Sequence, residues 1–264
     1  MNHQKIALVT GASRGLGIVI SKMLMEKGCK VLGVARSEDK LKQFQDEIGE
    51  KNFQYYTCDL SKPEGLPLLI DQIKSDGHHI DYLINNAGLE RYDHFQNNSQ
   101  WDVINIINTN LLAPMELTRL LLPEITNNGG HIVNIASLAG KKGIAYNTIY
   151  SATKAGLIMW SDGLRQELNE TNANVTVICP GYISDTGMFH DGGVDAPTLL
   201  GTSPPEAVAS AVWEAITKNR AEIIVNSGPI KPLLAIGQLF PRFGDRVVSW
   251  FGVPKLSKKR IVSR

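Results

Sequence analysis

The 264 residues carry 27 Lys and Arg against 26 Asp and Glu, with 43% hydrophobic and 20% charged residues. The length suits one α/β domain, and a net charge of +1 argues against a uniformly basic nucleic-acid-binding surface. From Lys231 onward, however, eight basic residues face only Asp245, so the tail carries +7 and the remainder −6. The three cysteines, Cys29, Cys58 and Cys179, are odd in number and lack metal-ligand spacing. They predict a reducing, cytoplasmic setting with neither disulfides nor a bound metal. Residues 5–10 already read as a strand, leaving no room for a secretory leader, and no apolar run approaches the ~20 residues of a membrane span.

Short apolar runs alternate with longer helical patterns. Strands are expected at 6–10, 30–34, 54–58, 82–85, 131–135, 175–178 and 222–225. Most are continuous rather than alternating, as parallel strands covered on both faces require. Leu41, Phe44 and Ile48 stripe one intervening helix, and Val208, Val212 and Ile216 another after Pro204-Pro205. This alternation predicts a doubly wound parallel sheet.

The first strand runs into Thr10-Gly11-Ala12-Ser13-Arg14-Gly15-Leu16-Gly17. Glycines between a strand and a helix let the backbone approach a pyrophosphate, and the helix N-terminus stabilises its charge. The second strand ends Val34-Ala35-Arg36 without an acid to bind the ribose hydroxyls of NAD. Arg36 and Arg14 instead suit the 2′-phosphate of NADP(H). Asp59, followed by Leu60, ends the third strand, where its carboxylate would either accept from an adenine amino group or form a cap. Asn85-Asn86-Ala87-Gly88 ends the fourth, with small residues that let a flat ligand pass close.

Ser137 follows the fifth strand, at the carboxyl edge where open α/β sheets bind ligands. Tyr150 and Lys154 are one helical turn apart, so the ammonium is expected to pull the phenol from ~10 towards neutrality. Tyr150 would then exchange a proton with a carbonyl or alcohol oxygen held by Ser137. Cys179, before Pro180, reads as a buried apolar residue in preference to a reactive thiol.

Together these motifs resemble the short-chain dehydrogenase/reductase family over roughly residues 5–226. The matching segments are 10–17 for TGxxxGxG, 85–88 for NNAG, Ser137, and Tyr150 with Lys154 for YxxxK. The resemblance implies a Rossmann-type sheet of order 3-2-1-4-5-6-7 and an oxidoreductase that interconverts carbonyl and alcohol by hydride transfer. It adds a proton-relay asparagine, for which Asn110 fits and Asn108 competes because the segment 101–110 is slightly long. It gives Lys154 a hydrogen bond to the nicotinamide ribose. Pro180-Gly181 would pack near the nicotinamide, with Ile183 and Thr186 touching the carboxamide. Thr186 stands later after Pro180-Gly181 than the family pattern has it. Homodimers or tetramers through the helices around 110–122 and 150–168 are also implied.

Residues 1–227 form the expected oxidoreductase domain and 228–264 an extension. Leu233, Leu234, Ile236, Leu239 and Phe240, then Val247, Trp250 and Phe251, make apolar clusters beside basic residues. Such an extension either covers the substrate cleft or a partner subunit, or lies on an anionic membrane surface. By analogy with lipid- and steroid-active relatives the substrate is expected to be a hydrophobic ketone, aldehyde or alcohol. The competing functions are an NADP(H)-binding regulator without turnover and a membrane-surface protein acting through its tail.

Overall fold

Five consecutive buried residues, Ile6–Thr10, make strand β1, an inner strand of the sheet. In the computed structural model, which describes residues 4–190, 200–228 and 230–262, seven parallel strands are ordered β3-β2-β1-β4-β5-β6-β7. They are β1, β2 (Lys30–Ala35), β3 (Phe53–Thr57), β4 (Tyr82–Asn85), β5 (His131–Ile135), β6 (Asn174–Pro180) and β7 (Glu222–Val225). The helices are α1 (Leu16–Glu26), α2 (Glu38–Ile48), α3 (Leu66–Ser75), α4 (Gln100–Ile107), α5 (Ala113–Asn127), α6 (Thr148–Glu167), α7 (Gly187–His190) and α8 (Pro205–Lys218). Three more follow the sheet: α9 (Lys231–Leu239), α10 (Pro241–Trp250) and α11 (Val253–Val262).

The period of two along a strand divides the core between the faces of the sheet. Ala7 and Val9 point to one side, with Ile20, Leu24, Val208 and Val212 of α1 and α8. Ile6 and Leu8 point to the other, with Leu69, Leu117, Leu121 and Leu164 of α3, α5 and α6. Both faces being covered explains why these strands read as unbroken apolar runs. Among the described residues, no helix is long and apolar enough to cross a membrane.

Strand β1 pairs with β2 on one side and β4 on the other. The chain therefore reverses its winding beside β1, which opens a crevice at the carboxyl edge of the sheet. Between α4 and α5 the helix passes through a π-turn, Asn108–Leu112. A π-turn takes up an extra residue, which accounts for the length of 101–110, and such turns recur at functional sites. Cys179 is fully buried, and burial pushes its thiol up to about 12, so it packs as an apolar residue.

Candidate active site

A cavity of about 410 Å³ runs along the carboxyl edge, from the glycine loop to the C-terminal helices. Thr10, at the end of β1, fixes its floor. Its hydroxyl accepts the backbone N–H groups of Asn86 and Ala87, both at 3.0 Å, while Asn86 Nδ2 donates to the Thr10 carbonyl at 2.9 Å. Strands β1 and β4 are thereby clamped at the crevice. Gly17 is obligatory here, because a Cβ would stand 2.1 Å from the Gly11 carbonyl oxygen. Gly11, at φ +71°, would carry its Cβ 3.0 Å from the Ala87 Cα. These approaches keep the loop backbone open to the cavity, a cradle that fits a dinucleotide pyrophosphate. Gly11, Ser13, Arg14, Gly15, Leu16 and Gly17 all line it.

Arg14 and Arg36 are exposed and border the same end, joined there by Ser37 and Lys40. Lys40 sits one helical turn beyond Arg36, and nothing in the strand-end pattern singled it out. Asp59 and Leu60 also line the cavity. Asp59 Oδ1 accepts both the N–H and the hydroxyl of Ser61, at 3.1 and 2.8 Å, so the turn-forming role is present. Asn86, Ala87, Gly88, Pro180, Gly181, Ile183 and Thr186 complete this wall. Thr186 Oγ1 lies 3.6 Å from where a Cβ on Gly15 would be, so the segment after β6 folds over the glycine loop.

Asn110 differs from expectation in position. It is fully buried and lies behind the wall, with its Oδ1 accepting Leu89 N–H at 2.7 Å. Its Nδ2 donates to the Leu89 carbonyl at 2.8 Å and to the Thr153 hydroxyl at 3.1 Å. Both polar atoms of the amide therefore brace the segment after β4 against α6, and no direct cofactor contact follows from this placement. Asn108, its competitor, turns away to the Ser61 carbonyl at 2.8 Å.

Ser137, Tyr150 and Lys154 meet at the middle of the cavity. Ser137 Oγ accepts Ala139 N–H at 3.1 Å, which orients the hydroxyl, and interacts with the Tyr150 phenol. Lys154 Nζ donates to the Ile135 carbonyl at 2.7 Å and stands 5.6 Å from the Tyr150 ring centre. Burial works against the expected fall of the phenol towards neutrality. Burial drives the phenol above its ordinary value, with Glu90 adding to the rise and Ser137 opposing it. Burial also brings the Lys154 ammonium down to about 8. Desolvation disfavours the charged form of each group. The pair is set as a neutral phenol beside an easily deprotonated ammonium, an arrangement that donates a proton from Tyr150.

A buried chain of amides anchors this geometry. Asn85 Nδ2 donates to Asn134 Oδ1 and Asn134 Nδ2 to Ser161 Oγ, both at 2.8 Å, tying β4 and β5 to α6. The opposite end of the cavity holds residues that no motif marked: Glu90, Tyr92, Asn147, Tyr182, Met188 and Arg260. Only their place after a strand end was visible for Glu90 and Tyr92, and nothing local flagged Arg260.

The model of the short chain dehydrogenase family matches residues 5–195, most of the chain, with the glycine loop, Ser137, Tyr150 and Lys154 all inside the match. The chain belongs to the short-chain dehydrogenase family. Among its relatives, the ketoacyl reductase HetN of a Nostoc species is 47% identical over 98% of this chain and 93% of its own length. Carbonyl reductase family member 4 of Xenopus laevis is 32% identical over 79% of this chain and 89% of its own. The closed form of a serine dehydrogenase complexed with NADP+ superposes with a TM-score of 0.75 at 30% identity, covering 84% of this chain and 94% of that one. This short-chain dehydrogenase is accordingly an oxidoreductase of the nicotinamide-dinucleotide type.

Its C-terminal helices add to the cavity. Leu233, Leu234, Val247, Val248 and Phe251 line it from α9, α10 and the turn that follows. The two helices cross at glycines, where a Cβ on Gly244 would be 2.9 Å from Gly237 Cα. In this short-chain dehydrogenase the tail thus walls the cleft with one apolar face. Its other face, with Leu239, Phe240, Phe243 and Trp250, remains exposed.

Proposed function

We propose that the chain is a cytoplasmic NADPH-dependent reductase of a ketone carried on an apolar chain, with alcohol oxidation as the reverse. The observation that carries this reading is Tyr150, Ser137 and Lys154 standing between a phosphate cradle with paired arginines and a pocket walled by Leu233, Leu234, Val247, Val248 and Phe251. The printed activity of the ketoacyl reductase relative supports the same substrate class. Arg14 and Arg36 hold the 2′-phosphate as two guanidinium donors, and Lys40 adds charge. Bound along the glycine loop, NADPH supplies the hydride. Ser137 holds the carbonyl oxygen through a hydrogen bond that strengthens as charge develops there. Tyr150 donates its proton to that oxygen and regains it from the side of Lys154. Asn110 keeps α6 and the segment after β4 in register for this transfer. Buried thiols at Cys29 and Cys179 suit a reducing compartment.

NADPH oxidation across ketones of increasing chain length, 3-oxoacyl thioesters included, tests the reading. kcat/KM is expected to rise with chain length. Tyr150→Phe should lower turnover by roughly 10²–10⁴-fold while NADPH still binds. Full turnover in that variant would sink the assignment.

Two assembly features belong to the same proposal. Trp101, Ile104, Leu112 and Met159 are large, apolar and exposed on α4, the π-turn and α6, which supports homodimerisation through those helices. The outward crest of Leu239, Phe240, Phe243 and Trp250, beside Arg242 and Arg246, supports peripheral docking on an anionic lipid surface. Co-sedimentation of the full chain with anionic liposomes should fall for Leu239→Ser/Trp250→Ser, and equal partitioning would dismiss it.

A further inference from the structure

Helix α11 reaches back to the chemistry. Arg260 is only 6% exposed, although its neighbours Lys258 and Lys259 lie in solvent. Its Nη2 donates to Glu90 Oε1 at 2.7 Å and to the Met188 carbonyl at 2.6 Å. Its guanidinium carbon stands 4.3 Å from the Tyr92 ring centre. One side chain therefore ties the segment after β4, the segment after β6 and α11 together, and all three border the cavity beside Tyr150.

A buried ion pair is a poor choice for closure alone, since desolvation can cancel its Coulombic gain and apolar packing would do as well. What the pair provides and apolar packing cannot is a local field. The charged and titratable groups around the phenol come from every neighbouring element. They are Glu90 and Tyr92 after β4, Ser137 after β5, Lys154 in α6 and Arg260 in α11, with Cys179 of β6 acting on Lys154 and Tyr182 adjoining Glu90 and Arg260 after β6. Glu90 favours the protonated form of both Tyr150 and Lys154, whereas Arg260 opposes it at Tyr150.

We infer that Glu90 and Arg260 are positioning residues for the reaction: they hold α11 against the substrate end of the cavity and, by their opposed charges, balance the protonation of the Tyr150–Lys154 pair. This rests on Tyr150 being the proton donor. It makes the C-terminal helix part of the catalytic unit, 170 residues away from Glu90 in the chain.

The test is the alkaline limb of kcat/KM in the full-length protein, read with any carbonyl compound the wild type reduces. Glu90→Gln removes the charge that favours protonation, so its limb should move to lower pH. Arg260→Met removes the opposing charge and leaves Glu90 unbalanced, so its limb should move to higher pH. Each shift should be on the order of one pH unit or less, and the double variant should fall between them. Arg260→Lys keeps the charge and should leave the limb in place while KM rises through loss of the Tyr92 contact. A purely structural latch would lower kcat/KM in every variant without opposite shifts, and that result would overturn the inference. Unchanged NADPH affinity shows that the glycine-loop half is intact. Should Arg260→Met fail to fold, an unmoved limb in the near-isosteric Glu90→Gln is enough to overturn it. Retained turnover in Tyr150→Phe would instead fail the proton-donor reading, so the two failures are distinguishable.

Discussion

The two ends of the cavity are built by different means. At the cofactor end, backbone geometry does the work: glycines whose side chains would collide with Gly11 or Ala87, and a threonine that clamps two adjacent strand ends. At the substrate end, side chains far apart in sequence converge, with Glu90, Met188 and Arg260 as the joint. The first kind of site is local and leaves a spacing in the chain. The second kind is assembled by the fold and leaves none.

That contrast can be attacked from both ends. The largest effect is expected for Arg14→Ala/Arg36→Ala, which should weaken NADPH binding by roughly 10²–10⁴-fold, since charge-assisted hydrogen bonds contribute ~1.5–3 kcal/mol each. NADH binding, measured by the same fluorescence titration, should hardly change. Equal losses for both would remove the 2′-phosphate assignment.

A control on the fold comes from His131, at the amino end of β5 and away from the cavity. Burial lowers its pKa to about 4, below the 6.5 of an exposed histidine. The unfolded chain therefore takes up a proton that the folded chain refuses. Stability is full above about 6.5 and is lost as pH falls towards about 4, by roughly 3 kcal/mol in all. Urea midpoints across that range should show the slope, and His131→Asn should flatten it.

Two glycine substitutions then set the halves directly against each other. Gly17→Ala places a Cβ against the Gly11 carbonyl and should cost about 1–3 kcal/mol of stability and cofactor affinity together. Gly244→Ala presses α10 off α9 and should raise KM for long apolar ketones by about 3–10-fold, a change of ~1 kcal/mol. Cofactor binding should be untouched by the second. If Gly244→Ala weakens NADPH binding as much as Gly17→Ala does, the two ends are not independent.

Much of the fold was legible because it rests on periodicity. The strands fell within one or two residues of expectation, and β6 ran longer because Asn174, Cys179 and Pro180 extend its pairing. The glycine loop, Ser137, Tyr150 and Lys154 were legible because each is tied to a strand end or a helical turn. The choice between Asn110 and Asn108 needed the π-turn, a backbone event without a residue signature. Spacing shows that Lys154 neighbours Tyr150 but not how deeply the pair is buried. Arg260 was counted as one more basic residue of a tail, since nothing beside it in sequence reports that its partner is Glu90. After β6 the chain reaches the short α7, and residues 191–199 lie outside the described residues.

The Glu90–Arg260 contact also bears on how the molecule comes together. A contact across 170 residues closes a very long loop, and its entropy has to be met before the pair can form. The strand ends that cradle the dinucleotide need only the sheet, whose neighbouring strands close first. A chain with its sheet formed and α11 undocked would already bind NADPH, and ligand binding would stabilise it by mass action. Docking of α11 onto Glu90 thus closes a far longer loop than the Thr10–Asn86 clamp of the cofactor end, which spans 76 residues.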